Sequence, residues 1–173
     1  MGRTLSQAVE QFLILNERFV RTGLLGEEYE RWNELSRTLD AALRMPAPRR
    51  GVPRRHARAP LRLPVRLATS AGIVEGHTVD VAAGGLGVAV PRLIAGGDEL
   101  EATLELPPRL GQVDFWAAVR WSAPADLTGW WRGGVTFASL GVTEREFISA
   151  CVLGNEAPRL LAAEVAPPAR GQG

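Results

Sequence analysis

Hydrophobic residues recur at helical spacing in the first quarter of the chain. From residue 5 to residue 21 they fall on one side of a helix, and Thr4 and Gln7 have the spacing of a capping box at its start. After the break "TGLLG", residues 27–44 form a second stripe of this kind, with charged residues on the opposite side. Two amphipathic helices joined by a short glycine-containing turn predict an antiparallel helical hairpin over residues 1–45.

After residue 60 the hydrophobic period changes to two, which is the period of a β-strand. Six runs have this pattern, at residues 61–68, 73–81, 86–90, 99–106, 113–121 and 130–137. Short runs separated by turns, with no helix between them, predict an antiparallel barrel or sandwich, so the fold class is mainly β. A helix that Thr143 opens completes the domain at residues 61–155, and residues 156–173 are predicted to be a disordered tail.

The apolar stripe of the hairpin runs from Phe12 and Phe19 to Trp32 and Leu39. Because burying one large side chain is worth about 1.5–3 kcal/mol, this stripe requires a partner surface. It can dock on the barrel of the same chain or pair with a second copy in a symmetric homodimer. The sequence favours the homodimer, because a linker separates the hairpin from the barrel. Tyr29 and Trp32 are the candidate residues for contact with a partner protein.

Residues 46–60, here called the arm, contain four prolines, which predicts a linker without regular structure. Seven of the twenty basic residues fall between residues 46 and 70, where there is no acidic residue. The chain has no lysine, so the choice of arginine carries little information, but the exclusion of acidic residues does. A cationic segment on a nearly neutral protein predicts a small anionic ligand or an acidic partner surface.

Several function classes are excluded by what the sequence lacks. It has no run of eighteen apolar residues to span a bilayer, and its N-terminus lacks the apolar core of a signal peptide. With Cys151 as the one cysteine there is no disulfide framework, so we expect a cytoplasmic protein. His56, His77 and Cys151 lack metal-ligand spacing, and no nucleophile–base or phosphate-loop motif occurs. We therefore expect no membrane contact, no metal, no cofactor and no enzymatic activity.

Two short motifs supply the candidate binding residues. Arg54 and Arg58 lie four apart in the arm, and a guanidinium can hold a phosphate or a guanine edge and stack on a purine. Asp80 ends a strand-like run, where its carboxylate can orient an arginine or accept hydrogen bonds from a guanine edge. Gly84 and Gly85 then permit a positive φ or a close approach of the backbone to a ligand. Taken alone, the arginine pair is more typical of a solvated arginine-rich linker, and the Asp80 segment is more typical of a β-turn.

Taken in order, Arg54-x-x-x-Arg58 and Asp80-x-Ala82-x-x-Gly85 resemble the two motifs of the PilZ domain family, RxxxR and [D/N]xSxxG. The resemblance extends over about residues 53–150. It implies a six-stranded antiparallel β-barrel with a C-terminal helix, here preceded by the helical hairpin. It also implies binding of cyclic di-GMP, a bacterial second messenger, as one nucleotide or as an intercalated pair. The residues that would bind it are Arg54, Arg55, Arg58, Asp80, Ala82 and Gly85.

One position departs from the family pattern, because the motif serine is replaced by Ala82. The loss of a hydrogen bond to a charged group costs about 1.5–3 kcal/mol, which lowers the expected affinity. Our first hypothesis is a receptor in which cyclic di-GMP closes the arm onto the barrel and changes the contacts of the hairpin with a partner protein. The alternative is a PilZ-like interaction module that does not bind nucleotide. A nucleic-acid binder ranks third, because residues 71–173 hold twelve acidic residues against seven arginines.

Overall fold

The computed structural model describes residues 4–44, 55–126 and 129–165, and its centre is an antiparallel β-barrel. The strands are β1 (Arg58–Ala59), β2 (Pro64–Thr69), β3 (Gly72–Ala82), β4 (Gly85–Val90), β5 (Glu99–Glu105), β6 (Gln112–Pro124) and β7 (Trp131–Ser139). Their order is β1-β3-β2-β5-β6-β7-β4, and the additional pairing of β3 with β4 closes β2 to β7 into a six-stranded barrel. The predicted fold class is confirmed, and each of the six predicted strands is present.

The interior of the barrel is built by the alternation of side chains that the sequence showed. In β6 the residues Val113, Phe115 and Val119 are buried, whereas the intervening Asp114 and Trp116 are exposed. Phe115 packs edge-on against Phe137 of β7, with 4.8 Å between the ring centroids. Since a one-residue slip would move every apolar side chain of the strand to the solvent side, this alternation fixes the register.

Strand β1 lies inside the arm, where no regular structure was predicted. Arg58 and Ala59 pair in antiparallel register with Ala82 and Val81 at the end of β3. A strand of two residues has too little pattern to be recognised from sequence, and it is held by a partner more than twenty residues away. The following Pro60 is compatible with this pairing because β1 is the outermost strand of the order. The rest of the arm before Arg55 lies outside the described residues.

Three helices pack together beside the barrel: α1 (Leu5–Thr22), α2 (Gly26–Leu43) and α3 (Val142–Val165). The predicted capping box of α1 is present, since the Gln7 amide donates to the Thr4 hydroxyl and the Gln7 side chain accepts from the Thr4 amide. Helices α1 and α2 both contact α3, so the hairpin forms a three-helix layer with the end of the chain. Within the part of the chain that the structure describes, no helix is long and apolar enough to span a bilayer.

The apolar stripe of the hairpin is covered by α3 of the same chain. Phe12 and Leu39 are completely buried, and the ring of Phe19 lies 4.4 Å from that of Trp32 and 5.9 Å from that of Phe147 in α3. The need for a partner surface is therefore met within the chain, where the sequence favoured a second copy. The hydrophobic pattern did not indicate that α3 packs in one layer with the hairpin. For this reason the hairpin and the barrel were expected to lie apart.

Two buried hydrogen bonds that share Asn16 fix the three helices relative to one another. The Trp32 indole Nε1 donates to Asn16 Oδ1 at 3.0 Å, and Asn16 Nδ2 donates to the Ala150 carbonyl oxygen at 3.1 Å. Asn16 is buried, so both hydrogen bonds are needed to offset the loss of water from its amide. The two hydrogen bonds connect α1 to α2 and to α3, and they specify one arrangement of the three-helix layer.

Helix α3 is longer than the sequence indicated, because residues 156–165, predicted as part of a disordered tail, are helical. Ala157 is fully buried, and Leu160 and Leu161 pack against the core. Burial of this apolar face outweighs the effect of Pro158, which lacks the amide hydrogen of a helical residue. Residues 166–173 of the predicted tail lie outside the described residues.

Candidate functional site

The pairing of β1 with β3 brings the two sequence motifs together. Arg58 lies opposite Ala82, so its side chain reaches diagonally along β3 to Asp80. One guanidinium nitrogen, Nη1, donates to Asp80 Oδ1 at 2.6 Å. The Arg58 side chain is 44% exposed and that of Asp80 is 33% exposed. The ion pair is therefore open to solvent, where such pairs contribute about 0–1 kcal/mol, and it can be rearranged at low cost.

A cavity of about 310 Å³ lies beside this ion pair, and we call it the arm cavity. Its volume is at the lower end of the range for small-molecule sites, which is about 300–1000 Å³. It is lined by residues of the arm, of the turn between β3 and β4, and of β7: Arg55, His56, Arg58, Ala82, Gly84, Gly85 and Thr136. The structure thus brings together five of the six residues expected from sequence, four of them in the lining and Asp80 beside it. The sixth, Arg54, lies outside the described residues.

The floor of the arm cavity is formed where β4 approaches β7 closely. A Cβ atom on Gly85 would lie 2.3 Å from the Val135 carbonyl oxygen, so only glycine fits there. A Cβ atom on Gly84 would lie 3.0 Å from the His56 ring. Neither glycine has a positive φ, so the requirement for glycine here comes from close packing against β7 and His56, whereas approach of this backbone to a ligand stays a prediction. Ala82 is 4% exposed and completes the floor without a hydroxyl group.

A strip of the outer barrel surface next to the ion pair has almost no side chains. Asp80, Gly87, Gly134 and Trp121 are neighbours in register across β3, β4, β7 and β6. A Cβ atom on Gly87 would lie 3.0 Å from the Asp80 carboxylate, and one on Gly134 would lie 2.1 Å from the Trp121 indole nitrogen. The indole therefore lies directly over Gly134, and it is about half exposed. This leaves an accessible aromatic surface facing the Arg58–Asp80 pair.

Trp121 is not among the candidate residues taken from the sequence, so the sequence did not identify this surface. The signal that could have found it is the pair of consecutive glycines, Gly133 and Gly134, inside a β-strand. A glycine in the interior of a strand weakens it and marks a close approach of another group. Here the other group is an indole from the neighbouring strand.

Two further arginines, not singled out from the sequence, reach the edge of the arm cavity. Arg120 of β6 donates from Nε to the hydroxyl oxygen of Thr136, which lines the cavity, at 2.8 Å. Arg145 of α3 donates from Nη1 to the carbonyl oxygen of Ala83, in the turn between two lining residues, at 3.3 Å. Neither lies within the arginine-rich segment, and both depend on the folding of the chain to reach the arm.

The lining of the arm cavity contains two arginines and a histidine and no acidic residue among its described members. Asp80, beside it, is already bound to Arg58. Such a site favours an anion, and guanidinium groups suit phosphate because they offer two parallel donors. Among the described residues there is no group of three His, Cys, Asp or Glu side chains placed to hold a metal ion. Burial raises the pKa of the Cys151 thiol to about 12, so this group is neutral and a poor nucleophile at neutral pH.

Comparison with known sequences identifies one family. A model of the PilZ domain matches residues 53–154, which is more than half of the chain and includes every candidate site residue. A search among curated proteins finds no match.

Several solved structures share the fold. YcgR from Escherichia coli in complex with c-di-GMP is 15% identical, with a TM-score of 0.53 over 65% of this chain and 50% of that protein. The inhibitor of motility MotI/DgrA from Bacillus subtilis is 18% identical, with a TM-score of 0.52 over 66% of this chain and 56% of that protein. The PilZ domain of YcgR with c-di-GMP is 16% identical, with a TM-score of 0.50 over 65% of this chain and 98% of that domain. The chain thus spans about half the length of the first two proteins, and these identities show the fold alone.

Proposed function

This chain belongs to the PilZ domain family, and we propose that it is a cytoplasmic, non-enzymatic receptor for cyclic di-GMP that binds its ligand at the arm cavity. The observation that carries the proposal is the solvent-open Arg58–Asp80 pair at the edge of a cavity with cationic lining. Only Nη1 of the Arg58 guanidinium is bound to Asp80, which leaves further guanidinium donors available for a ligand.

In the proposed complex Arg58, together with Arg54 and Arg55 of the same arm, binds the phosphates and a guanine edge. Asp80 orients Arg58 through the hydrogen bond already present, or accepts from the guanine N1–H and N2–H₂ groups. In this complex a guanine ring lies beside the Asp80 carboxylate and the Trp121 indole, which cover Gly87 and Gly134. Stacking of a base on an aromatic side chain is worth about 1–3 kcal/mol, and the exposed face of Trp121 offers such a surface.

The absence of a hydroxyl at Ala82 is partly offset in this proposal by Thr136. Ala82, Gly85 and Thr136 are neighbours in register across β3, β4 and β7, and all three line the arm cavity. Because Gly85 has no side chain, nothing stands between the threonine hydroxyl and the floor. The Thr136 oxygen accepts from Arg120, and its hydroxyl donates to the Ala118 carbonyl oxygen at 3.5 Å, a long hydrogen bond that a phosphate oxygen can replace.

Ligand binding is transmitted through the arm to the hairpin. The Ala57 amide donates to Asp40 Oδ1 of α2 at 2.7 Å, while the next residue, Arg58, is bound to Asp80 on the barrel. Two adjacent arm residues, Ala57 and Arg58, therefore connect the proposed ligand to α2. Any movement of Arg58 toward a phosphate displaces Ala57 relative to Asp40. This supports the proposal that cyclic di-GMP alters the contacts of the hairpin, or of the barrel surface, with a partner protein.

The proposal is tested by isothermal titration calorimetry of the full chain with cyclic di-GMP, with GTP and a short DNA duplex as controls. We expect saturable binding of cyclic di-GMP and none of the two controls at the same concentration. Binding of the duplex alone would instead support a nucleic-acid binder. No heat with any of the three would contradict the receptor hypothesis.

The second candidate function is an interaction module that does not bind nucleotide, and the observation that favours it is Ala82. This residue lies in the floor of the arm cavity but offers it no hydrogen bond. In that case the Arg58–Asp80 pair serves only to hold the arm on the barrel. Capture of the same partner protein by the full chain with and without cyclic di-GMP distinguishes the two, because only the receptor changes its partner affinity. Light scattering on the full chain tests for a homodimer, the other partner expected from sequence.

A further inference from the structure

A second and larger cavity lies between α2, α3 and the arm, and we call it the hairpin cavity. Its volume is about 500 Å³, well within the range of about 300–1000 Å³ that is usual for small-molecule sites. His56, Ala57 and Ala83 form its side toward the arm cavity, and the remaining lining residues belong to the two helices. His56 contributes to both cavities, which are therefore separated by the width of the arm.

The floor of the hairpin cavity is apolar. Trp32, Val152 and Leu153 line it and are themselves almost completely buried, at 1%, 2% and 3% exposure. These side chains belong to the core of the three-helix layer and cannot move into the cavity without leaving a void. An occupant that contributes apolar surface would pack against this floor, and the surface removed from water would be mainly its own.

One polar group in this cavity has no partner. Ser36 is 8% exposed, and its hydroxyl oxygen forms no hydrogen bond with any residue that the structure describes. Buried hydroxyl groups are almost always hydrogen-bonded, because they have lost their water. Ser36 also lines the cavity, and rotation of its side chain toward the cavity would let a polar atom of an occupant satisfy the hydroxyl.

The two carboxylates of the hairpin cavity are already engaged. Asp40 accepts the Ala57 amide and forms an ion pair with Arg44. Glu146 accepts a hydrogen bond from the Tyr29 hydroxyl. This hydrogen bond is the main cause of the raised pKa of Tyr29, so the phenol keeps its proton and remains the donor at neutral pH.

The two arginines of the hairpin cavity, in contrast, have no acidic partner among the described residues. Arg37 of α2 and Arg145 of α3 both line the cavity and are exposed at its edge. Arg145 donates one hydrogen bond to the Ala83 carbonyl oxygen and keeps further donors free. Because Arg44 neutralises Asp40, these two arginines face Glu146 alone, and the cavity presents one surplus positive charge above an apolar floor.

We propose that the hairpin cavity binds a small organic carboxylate with an apolar body and one further polar group. The carboxylate binds Arg37 and Arg145 at the edge, the body covers Trp32, and the polar group pairs with the Ser36 hydroxyl. Trp32, Ser36 and Arg37 do not line the arm cavity, so this site differs from it in most of its binding residues and in its ligand. It does not depend on cyclic di-GMP binding.

The test uses 4-hydroxybenzoate as the probe and 4-hydroxybenzamide as its neutral counterpart. Binding to the full chain is followed by NMR titration, in which the Trp32 indole signal, assigned with a Trp32→Phe variant, reports on the floor. We expect saturable binding of the carboxylate and at least about tenfold weaker binding of the amide, because a charge-assisted hydrogen bond is lost. Equal binding of the two, or no saturable binding of either, would overturn the proposal.

Variants locate the site. Arg37→Gln should weaken 4-hydroxybenzoate by about tenfold or more, whereas Arg66→Gln, an exposed arginine paired with Glu75 on the barrel, should not change it. Ser36→Ala should weaken 4-hydroxybenzoate but not benzoate, which lacks the second polar group. Arg58→Ala should leave both probes unaffected. If Arg58→Ala abolishes binding and Arg37→Gln does not, the anion occupies the arm cavity and the proposal is wrong.

Discussion

The two halves of the arm cavity differ in how firmly the chain holds them. The half formed by β3, β4 and β7 has a floor with Ala82 at 4% exposure and with Gly85 in close contact with the backbone of β7. The half formed by the arm consists of side chains such as Arg58, which is 44% exposed and held by one ion pair. The barrel therefore sets the shape of the site, whereas the charge of the site lies on side chains that a ligand can reposition.

The largest expected effect comes from a change in the rigid half. In Gly85→Ala the added methyl group would lie 2.3 Å from the Val135 carbonyl oxygen, which forces β4 away from β7. We expect a loss of unfolding free energy of about 3 kcal/mol, the upper part of the range for overpacking. Urea unfolding followed by circular dichroism measures it.

The matched control is Gly96→Ala. The nearest atom to a Cβ there is 4.0 Å away, and the residue has no positive φ, so little change in stability is expected. If Gly85→Ala were as stable as the control, the floor would not be rigid and the comparison between the two halves would fail.

A change in the arm should have the opposite profile. Arg58→Ala removes the charged donor, so we expect cyclic di-GMP to bind about 1.5–3 kcal/mol more weakly. The unfolding free energy should fall by less than about 1 kcal/mol, because the ion pair is exposed. Arg54→Ala should weaken binding similarly if RxxxR acts as a unit. Calorimetric titration and urea unfolding of the same samples separate the two quantities.

Arg66→Ala is the control for the arm. Like Arg58, Arg66 is an exposed arginine paired with a carboxylate of β3, here Glu75, but it lies away from the arm cavity. The affinity of the Arg66→Ala variant for cyclic di-GMP should equal that of the unchanged protein. An equal loss in both variants would show a nonspecific effect of charge and would remove the site assignment.

A smaller effect is expected from restoring the motif hydroxyl at the boundary of the two halves. Ala82→Ser adds a donor in the floor, and we expect binding tighter by up to about 1.5 kcal/mol, because Thr136 already supplies one hydroxyl. Ala95→Ser, on an exposed residue, should have no effect on calorimetric affinity. Weaker binding in Ala82→Ser than in the control would indicate that the ligand does not approach the floor.

The sequence predicted most of the fold because strands such as β2, β5 and β6 carry their own alternation, whereas β4, buried at every position, is bounded by turn residues. Thus β6 could be placed within a few residues of its bounds, whereas β1, with two residues, depends entirely on its pairing with Ala82 and Val81. For the site, the order of the two motifs was sufficient to select Arg58 and Asp80. Trp121 and Thr136 reach the site through strand register, and neither residue belongs to a sequence motif that would identify it.

The same reasoning explains the helical layer. Phe12 and Trp32 were correctly expected to need cover, but a stripe does not specify which surface covers it. Their partner is α3, more than a hundred residues later in the chain. Its second half follows from the burial of Ala157 against the layer, which local propensity with Pro158 nearby argues against.

The smallest change that we expect is in the pH dependence of the unfolding free energy, and it arises from Cys151, which lies outside both halves of the arm cavity. Burial raises the pKa of Cys151 in α3 from 9.0 to about 12, so the folded state holds this proton more tightly than the unfolded state does. The stabilisation is complete below pH 9.0 and is lost as the pH rises toward 12, by at most about 1.4 kcal/mol per pH unit. Urea unfolding at pH 8 and at pH 10 should therefore show a smaller decrease for Cys151→Ala than for the unchanged protein. An equal decrease in both would place the cause in another group.

Hydrogen–deuterium exchange of the full chain, with and without cyclic di-GMP, tests whether the ligand binds at the arm cavity and repositions the arm. The account predicts that the ligand slows exchange chiefly in a peptide covering residues 55–60, because the arm is the adjustable half. Peptides from β4 and β7 should change little, because their amides are already protected by the barrel. The contradicting result is ligand-dependent protection that leaves the arm unchanged and appears elsewhere in the chain.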